Sequence, residues 1–225
     1  MTDVIHVQPF WVCGYDFIIH INELWASVKR QGNNIMKVYI LLGHPDSDSF
    51  NGQIFETYCN ELTKIGHEIK VQRIGEMKFD PILWKGYKIV QELEPDLKTA
   101  QENILWCDKW TIIYPIWWGS MPAILKGFFD RTLYSGFAYK YHKNDPFWDK
   151  LLKGRSADLI TTCDAPKWWI WWQYRNSDLN SIKRATLEFC GFRPVRVKRI
   201  DRLRYKNESE RNKILQDIKK FAKND

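Results

Sequence analysis

From residue 36 onward, apolar residues arrive in two alternating rhythms, and the alternation predicts the elements. Compact runs rich in β-branched and aromatic residues, Lys37–Leu42, 110–114, 157–162 and 195–200, read as buried strands, and residues 69–74 alternate as a further one. Between them the spacing turns helical. Ile54, Phe55, Tyr58, Cys59 and Leu62 form one stripe closed by Gly66. A second helix follows the polar segment that reaches Asp96 and runs to Cys107, with Asp108 at the approach to the next strand. Ile124, Leu125, Phe128 and Phe129 mark a third, and Ile182, Ala185, Leu187 and Phe189 a fourth that starts near Asp178 and closes at Gly191. A basic helix over 209–223 ends the chain, and the 79–81 and 144–146 segments read as turns. Strands that alternate with helices predict a doubly wound α/β domain: a five-stranded parallel sheet, right-handed crossovers, and helices on both faces.

Residues 1–35 do not share this rhythm. Phe10, Trp11, Phe17, Ile18 and Ile19 are broken by polar residues, and the stretch ends in the turn-like Gln31-Gly-Asn-Asn34. A basic start, a continuous apolar centre and a small-residue cleavage site are all missing, so it does not read as a signal peptide. We expect an N-terminal extension over 1–35, outside the native protein if Met36 is the functional start, and one domain over 36–225.

The stretch around which the rest is organised is Tyr114-Pro-Ile-Trp-Trp-Gly-Ser-Met-Pro-Ala-Ile-Leu-Lys-Gly-Phe-Phe-Asp-Arg131, read as strand, aromatic loop and helix. Pro115 ends the strand and Pro122 sits near the first helical turn, where its missing N–H costs nothing. In open α/β sheets the loops at the carboxyl ends of strands line the ligand crevice. Trp117 and Trp118 there suit a flat, partly polar heterocycle; filling a core is the plainer role for such residues. A second loop, Gly43-His-Pro-Asp-Ser-Asp-Ser-Phe-Asn-Gly52, follows the first strand at the phosphate position of such folds. Ser47, Ser49 and Asn51 offer donors beside a helix N-terminus, although Ser and Asn are also ordinary N-caps. Neither a glycine-rich dinucleotide fingerprint nor a Walker lysine is present, so hydroxyls and backbone N–H groups would hold the anion. A third loop, Thr161-Thr-Cys-Asp164, ends the fourth strand.

Composition narrows the classes. Thirty-four Lys and Arg against 27 Asp and Glu leave a formal charge of +7, concentrated near the C-terminus in residues such as Arg193, Arg196, Lys198 and Arg199. Phosphorylated ligands, nucleic acid and anionic lipid are the partners such a charge attracts, and a solvated basic face explains it equally well. No zinc-finger spacing or RNA-binding aromatic signature accompanies it, which argues against nucleic acid, and no metal-ligand spacing is evident. The 5 cysteines are odd in number and widely spaced, without a C-x-x-C pair. That predicts reduced thiols and a cytoplasmic location. No apolar run approaches the ~18 residues of a membrane span.

Taken together, His44…Ser49-Phe-Asn51, the 115–131 unit, Gly136-Phe-Ala-Tyr139, Thr161-Thr162 and Phe189-Cys-Gly-Phe192 occur in an order that resembles the flavodoxin-like NAD(P)H:quinone oxidoreductases, the DT-diaphorase-like family. The resemblance covers nearly all of 36–225 and leaves out the leader. It implies a flavodoxin-like sheet, bound FAD (or FMN), NAD(P)H as co-substrate, and a homodimer with the active site at the interface. It also implies hydride transfer from NAD(P)H through the flavin to a quinone or similar electron-poor aromatic acceptor, in ping-pong fashion. Carried over by position, His44, Ser49, Phe50 and Asn51 would hold the flavin phosphates and ribityl chain. Ile116, Trp117, Trp118 and Gly119 would line the ring with backbone N–H groups near one edge, and Thr161, Thr162, Cys163 and Asp164 would close the other side. Arg211 sits where FAD-using relatives place an adenine-side arginine, and Gly136–Tyr139 would face the neighbouring subunit.

Some positions depart from the family pattern. Cys163-Asp164 replaces a glycine pair, Trp169 sits near the place of a tyrosine, and no histidine follows His142. The family's Tyr/His proton relay is therefore absent, and no catalytic acid or base is assigned; Trp118 and Trp169 remain as stacking candidates. A nucleophilic Cys163 is disfavoured because no histidine lies near it in sequence. Asp164 would either disfavour anionic reduced flavin or cap a helix toward solvent. The Trp168-Trp169-Ile-Trp171-Trp172 cluster reads as a wall of the acceptor pocket, a dimer contact, or a peripheral membrane foot beside Lys167 and Arg175 that no amphipathic-helix signal supports. A regulatory flavoprotein subunit of a membrane transporter and a nitro- or azo-aromatic reductase are the alternative functions.

Overall fold

A computed structural model describes residues 35–89 and 91–223 of the chain; the expectations for the leader over 1–34 lie outside the described residues. Strand β1 (Lys37–Leu42) leads into helix α1 (Phe50–Lys64), then strand β2 (Glu68–Arg73). Helix α2 (Pro95–Trp106) precedes β3 (Lys109–Pro115), and α3 (Ala123–Thr132) follows it. Two short strands, β4 (Tyr139–Tyr141) and β5 (Trp148–Lys150), come before β6 (Ser156–Thr162). Helix α4 (Lys167–Tyr174) is followed by α5, which opens as an α-turn at Ser177–Leu179 and continues π-wound over Asn180–Glu188. Strand β7 (Val195–Ile200) and helix α6 (Glu208–Lys223) complete the chain.

The main sheet is wholly parallel, in the order β2-β1-β3-β6-β7, so the fold is the flavodoxin-like α/β arrangement expected. Each inner strand feeds two cores because successive side chains point to opposite faces. Tyr39 and Leu41 of β1, and Trp110, Ile112 and Tyr114 of β3, pack toward α2, α3 and α5. Val38, Ile40 and Leu42, with Ile113 and Ile160, pack toward α1 and α6. Full burial of one such side chain contributes about 1.5–3 kcal/mol, which is why these strands read as nearly continuous apolar runs.

Three local features differ from the sequence expectation. The strands of the β4–β5 ribbon, which the sequence does not predict, flank the expected turn at 144–146; at 3 residues each they are too short to alternate visibly. The fourth predicted helix is π-wound over much of its length. The tryptophan cluster forms helix α4, with Trp168, Trp171 and Trp172 on one outer face, against the expectation of no amphipathic helix there. The apolar stripe points away from the core, so the usual pattern is inverted.

Glycines fix the loop after β1. A Cβ on Gly52 would lie 1.8 Å from the Ser47 carbonyl oxygen, and one on Gly75 would lie 1.8 Å from that of Pro45. Only a residue without a side chain admits the loop at both places. Among the described residues, no helix is long and apolar enough to cross a membrane.

Candidate functional site

The carboxyl ends of β1, β3 and β6 meet at one rim of the sheet, where the three loops enclose a cleft of about 220 Å³. Its walls are formed by His44, Ser49, Phe50 and Asn51 from the first loop, Pro115, Ile116 and Trp117 from the second, and Thr162, Cys163 and Asp164 from the third, with Leu203 closing one end. Pro115 and Leu203 are the two that the sequence did not nominate. Leu203 enters because its N–H donates to the Cys163 carbonyl at 3.1 Å, which draws the turn after β7 against the third loop.

The first loop is arranged as an anion cradle. Ser49 caps α1: its Oγ accepts from the Gly52 N–H at 3.3 Å and donates to the Asp46 carbonyl at 2.7 Å. The N–H groups of Phe50 and Asn51, in the first turn, have no intrahelical acceptor and sit at the positive end of the helix dipole. His44 Nδ1 lies 2.9 Å from both the backbone nitrogen and the carbonyl oxygen of Asp46, which fixes the ring against the loop. The His44 ring meets Trp117 edge-on at 5.5 Å between centroids. Arg211 lies outside the cleft wall, its guanidinium 5.6 Å from the Phe50 ring centroid.

The second loop is a tight turn. Trp117 N–H donates to the Ser120 carbonyl at 2.9 Å and Ser120 N–H returns the bond at 3.0 Å. Trp118 (φ 53°) and Gly119 (φ 71°) both occupy the left-handed region between them. Such a turn suits Gly and strains Trp. It also places Trp118 wholly in solvent rather than on the cleft wall. Ile116 N–H is used by the Thr162 carbonyl at 2.7 Å. Of the backbone donors expected here, those of Trp118 and Gly119 meet no acceptor among the described residues. Behind the turn, Ser177 Oγ donates to the Gly119 carbonyl at 2.5 Å and Tyr174 packs on Gly119. That support is anchored by the buried pair of Arg199 and Asp178, whose Nη2 and Oδ1 are 2.7 Å apart, while Arg199 Nη1 donates to Asn176 Oδ1 at 2.8 Å.

The third loop separates its four residues. Thr162 faces the cleft and pairs with Asn51, whereas Thr161, one position earlier, is buried on the opposite side of the sheet. Burial pushes the Cys163 thiol up to about 11, against a lowering by Arg199 and with further raising by Asp201, Asp178 and Asp164. Its Sγ lies 3.3 Å from the Ala165 carbonyl oxygen. Asp164 accepts from the Arg204 N–H at 2.9 Å, a capping bond made to a neighbouring turn. Trp169 is half-buried in α4, in contact with Trp168 and Trp172, and does not line the cleft. Among the described residues, no group of His, Cys, Asp and Glu could hold a metal ion.

A second cleft, of about 410 Å³, lies between α3, the β4–β5 ribbon and α5, with Phe129, Tyr139, Tyr141 and Phe189 in its walls.

A family model described as "Flavodoxin-like fold" matches residues 36–224. NAD(P)H dehydrogenase [quinone] 1 of Cavia porcellus is 28% identical, over 84% of this chain and 77% of its own. Ribosyldihydronicotinamide dehydrogenase [quinone] of Pongo abelii is 29% identical, over 70% of this chain and 78% of its own. The crystal structure of Smu.1420 from Streptococcus mutans UA159 superposes with a TM-score of 0.74 at 29% identity, covering 84% of this chain and all (100%) of its own.

Proposed function

The chain belongs to the flavodoxin-like-fold family, within its NAD(P)H:quinone oxidoreductase branch, and from that premise we propose that it is a flavin-dependent oxidoreductase that reduces a quinone or similar electron-poor aromatic with NAD(P)H. One observation carries this reading: three loop tips from β1, β3 and β6 converge on a single cleft that has amide donors at one end and aromatic and apolar walls at the other.

The donor set suits a flavin. The α1 N-terminus, with Ser49 and Asn51, would hold phosphate and ribityl groups, and Ile116 and Trp117 would face one side of the ring. The N–H groups of Trp118 and Gly119 would meet a ring edge that gathers negative charge. Arg211 on Phe50 supports a second phosphate and an adenine beyond the ribityl chain, and so FAD rather than FMN. When bound, the flavin supplies two-electron acceptance and hydride donation, and a slot shared by NAD(P)H and acceptor makes the sequence ping-pong.

The protein's part is orientation and exclusion of bulk water from one wall, since hydride transfer needs no strong acid or base. Cys163, held as a neutral thiol, takes no part in proton transfer. Protons for the reduced acceptor come from water at the open mouth of the cleft. The 410 Å³ cleft, with exposed Tyr141 in its wall, supports a homodimer in which the β4–β5 ribbon faces the neighbouring subunit.

Anaerobic addition of NADPH should bleach the visible absorbance of the holoprotein, and menadione should restore it rapidly. Absorbance that stays oxidised with excess NADH and NADPH would remove the enzyme reading and leave flavin binding as a regulatory property.

A further inference from the structure

We propose that the outer face of α4 is a docking surface for an anionic lipid bilayer. Trp168, Trp171 and Trp172 follow i, i+3, i+4 spacing and so share one side of the helix. They remain 64%, 63% and 57% exposed, whereas Ile170 on the inner side is buried at 2%. The rings are ordered by contact with Trp169, at 5.7 Å from Trp168 and 5.8 Å from Trp172 between centroids. The helix itself is pinned at both ends. Lys167 N–H donates to Asp201 Oδ2 at 3.0 Å, and Asn180 Nδ2 donates to the Arg175 carbonyl at 2.8 Å. Three large apolar side chains fixed outward on a rigid support form a patch that soluble monomers rarely leave uncovered.

Charge decides what covers it. Lys167 and Arg175 stand exposed at the two ends of the tryptophan row, and neither side chain forms an ion pair with a carboxylate among the described residues, the Asp201 carboxylate being bonded to the Lys167 backbone N–H. A second copy docked through this face in a two-fold contact would bring these cations against each other's counterparts. A surface of anionic headgroups neutralises both, and the headgroup layer is where tryptophan rings partition. With 8 residues the helix cannot span a bilayer and lies along it. The excess charge of +7 acts in the same direction. This inference stands independently of the flavin reading.

The test is co-sedimentation of the full chain with phosphatidylcholine vesicles, with and without about one-third phosphatidylglycerol. Binding to the anionic vesicles alone, weakened by salt and accompanied by a blue shift of tryptophan emission, is expected. The triple variant W168A/W171A/W172A removes only exposed side chains and should lower partitioning more than about tenfold. The variant K167Q/R175Q keeps the aromatic face and should lower it roughly thirtyfold, with emission unchanged in the absence of vesicles. Wild-type protein that ignores anionic vesicles, or partitions as the triple variant does, overturns the proposal. So does a wild-type dimer that the triple variant converts to monomer, which would give the face to a second copy.

Discussion

Thr162 Oγ1 lies 3.0 Å from Asn51 Nδ2 and 3.2 Å from Asn51 Oδ1, a buried contact between residues 111 apart in sequence. One hydroxyl can accept from the amide nitrogen and donate to the amide oxygen, so this pair ties the start of α1 to the end of β6 and sets the width of the cleft between them. Replacing Thr162 by Val, or Asn51 by Ala, leaves one polar partner buried and unmatched, at a cost of about 1–3 kcal/mol each. The double variant should lose less than the sum, with a coupling of about 1 kcal/mol in denaturant unfolding. Additive losses would mean that the two groups do not act as a pair.

The glycine clamps make the first loop sensitive to a single methyl group. In Gly52→Ala and Gly75→Ala the new Cβ meets a carbonyl oxygen of the loop, so Ser47 or Pro45 must move. Overpacking of this kind costs about 1–3 kcal/mol. The folded protein should bind flavin at least about tenfold more weakly, because the cradle donors shift with the loop. Gly66→Asn is the control: its φ of 89° lies in open space outside the site, so flavin binding should not change. Equal flavin affinity in Gly52→Ala and wild type would contradict a cradle formed by this loop.

Cys163 lines the cleft but should behave as an inert thiol. With its value raised to about 11, alkylation at neutral pH should be slow and should rise roughly tenfold per pH unit toward that value. Cys163→Ser should keep NADPH-dependent quinone reduction within about twofold. Rapid modification at pH 7, with parallel loss of activity, would restore it to the mechanism.

His142 clasps the exposed ribbon. Its Nε2 faces Asp149 and its Nδ1 faces Asp145, and these carboxylates, Asp149 the stronger, raise it above its ordinary value of 6.5. The charged form binds better in the folded protein. The clasp is therefore complete below pH 6.5 and disappears as pH rises through the raised folded value. Unfolding of wild type and His142→Gln should differ at mildly acidic pH and converge in alkali. A difference that grows with pH would reverse this assignment.

The inner strands were legible because parallel strands covered on both faces carry apolar runs such as Val38 to Leu42. Helix α1 was legible from its stripe and its Ser49 cap. The β4–β5 ribbon was not, since 3 residues hold one alternation at most. Within the site, sequence names loops but not directions. Thr161 and Thr162 are adjacent and point oppositely, and Trp117 faces the cleft while Trp118, at positive φ, stands in water. Leu203 carried no local signal, because its place depends on a hydrogen bond to Cys163, 40 residues earlier.

The most direct measurement is the visible spectrum of the purified protein, followed by heat release and chromatography of whatever it holds. A yellow protein that releases stoichiometric FAD, or takes up added FAD or FMN to become yellow, is the predicted result. A colourless protein that binds neither would contradict the assignment of the β1, β3 and β6 loop tips as a flavin site.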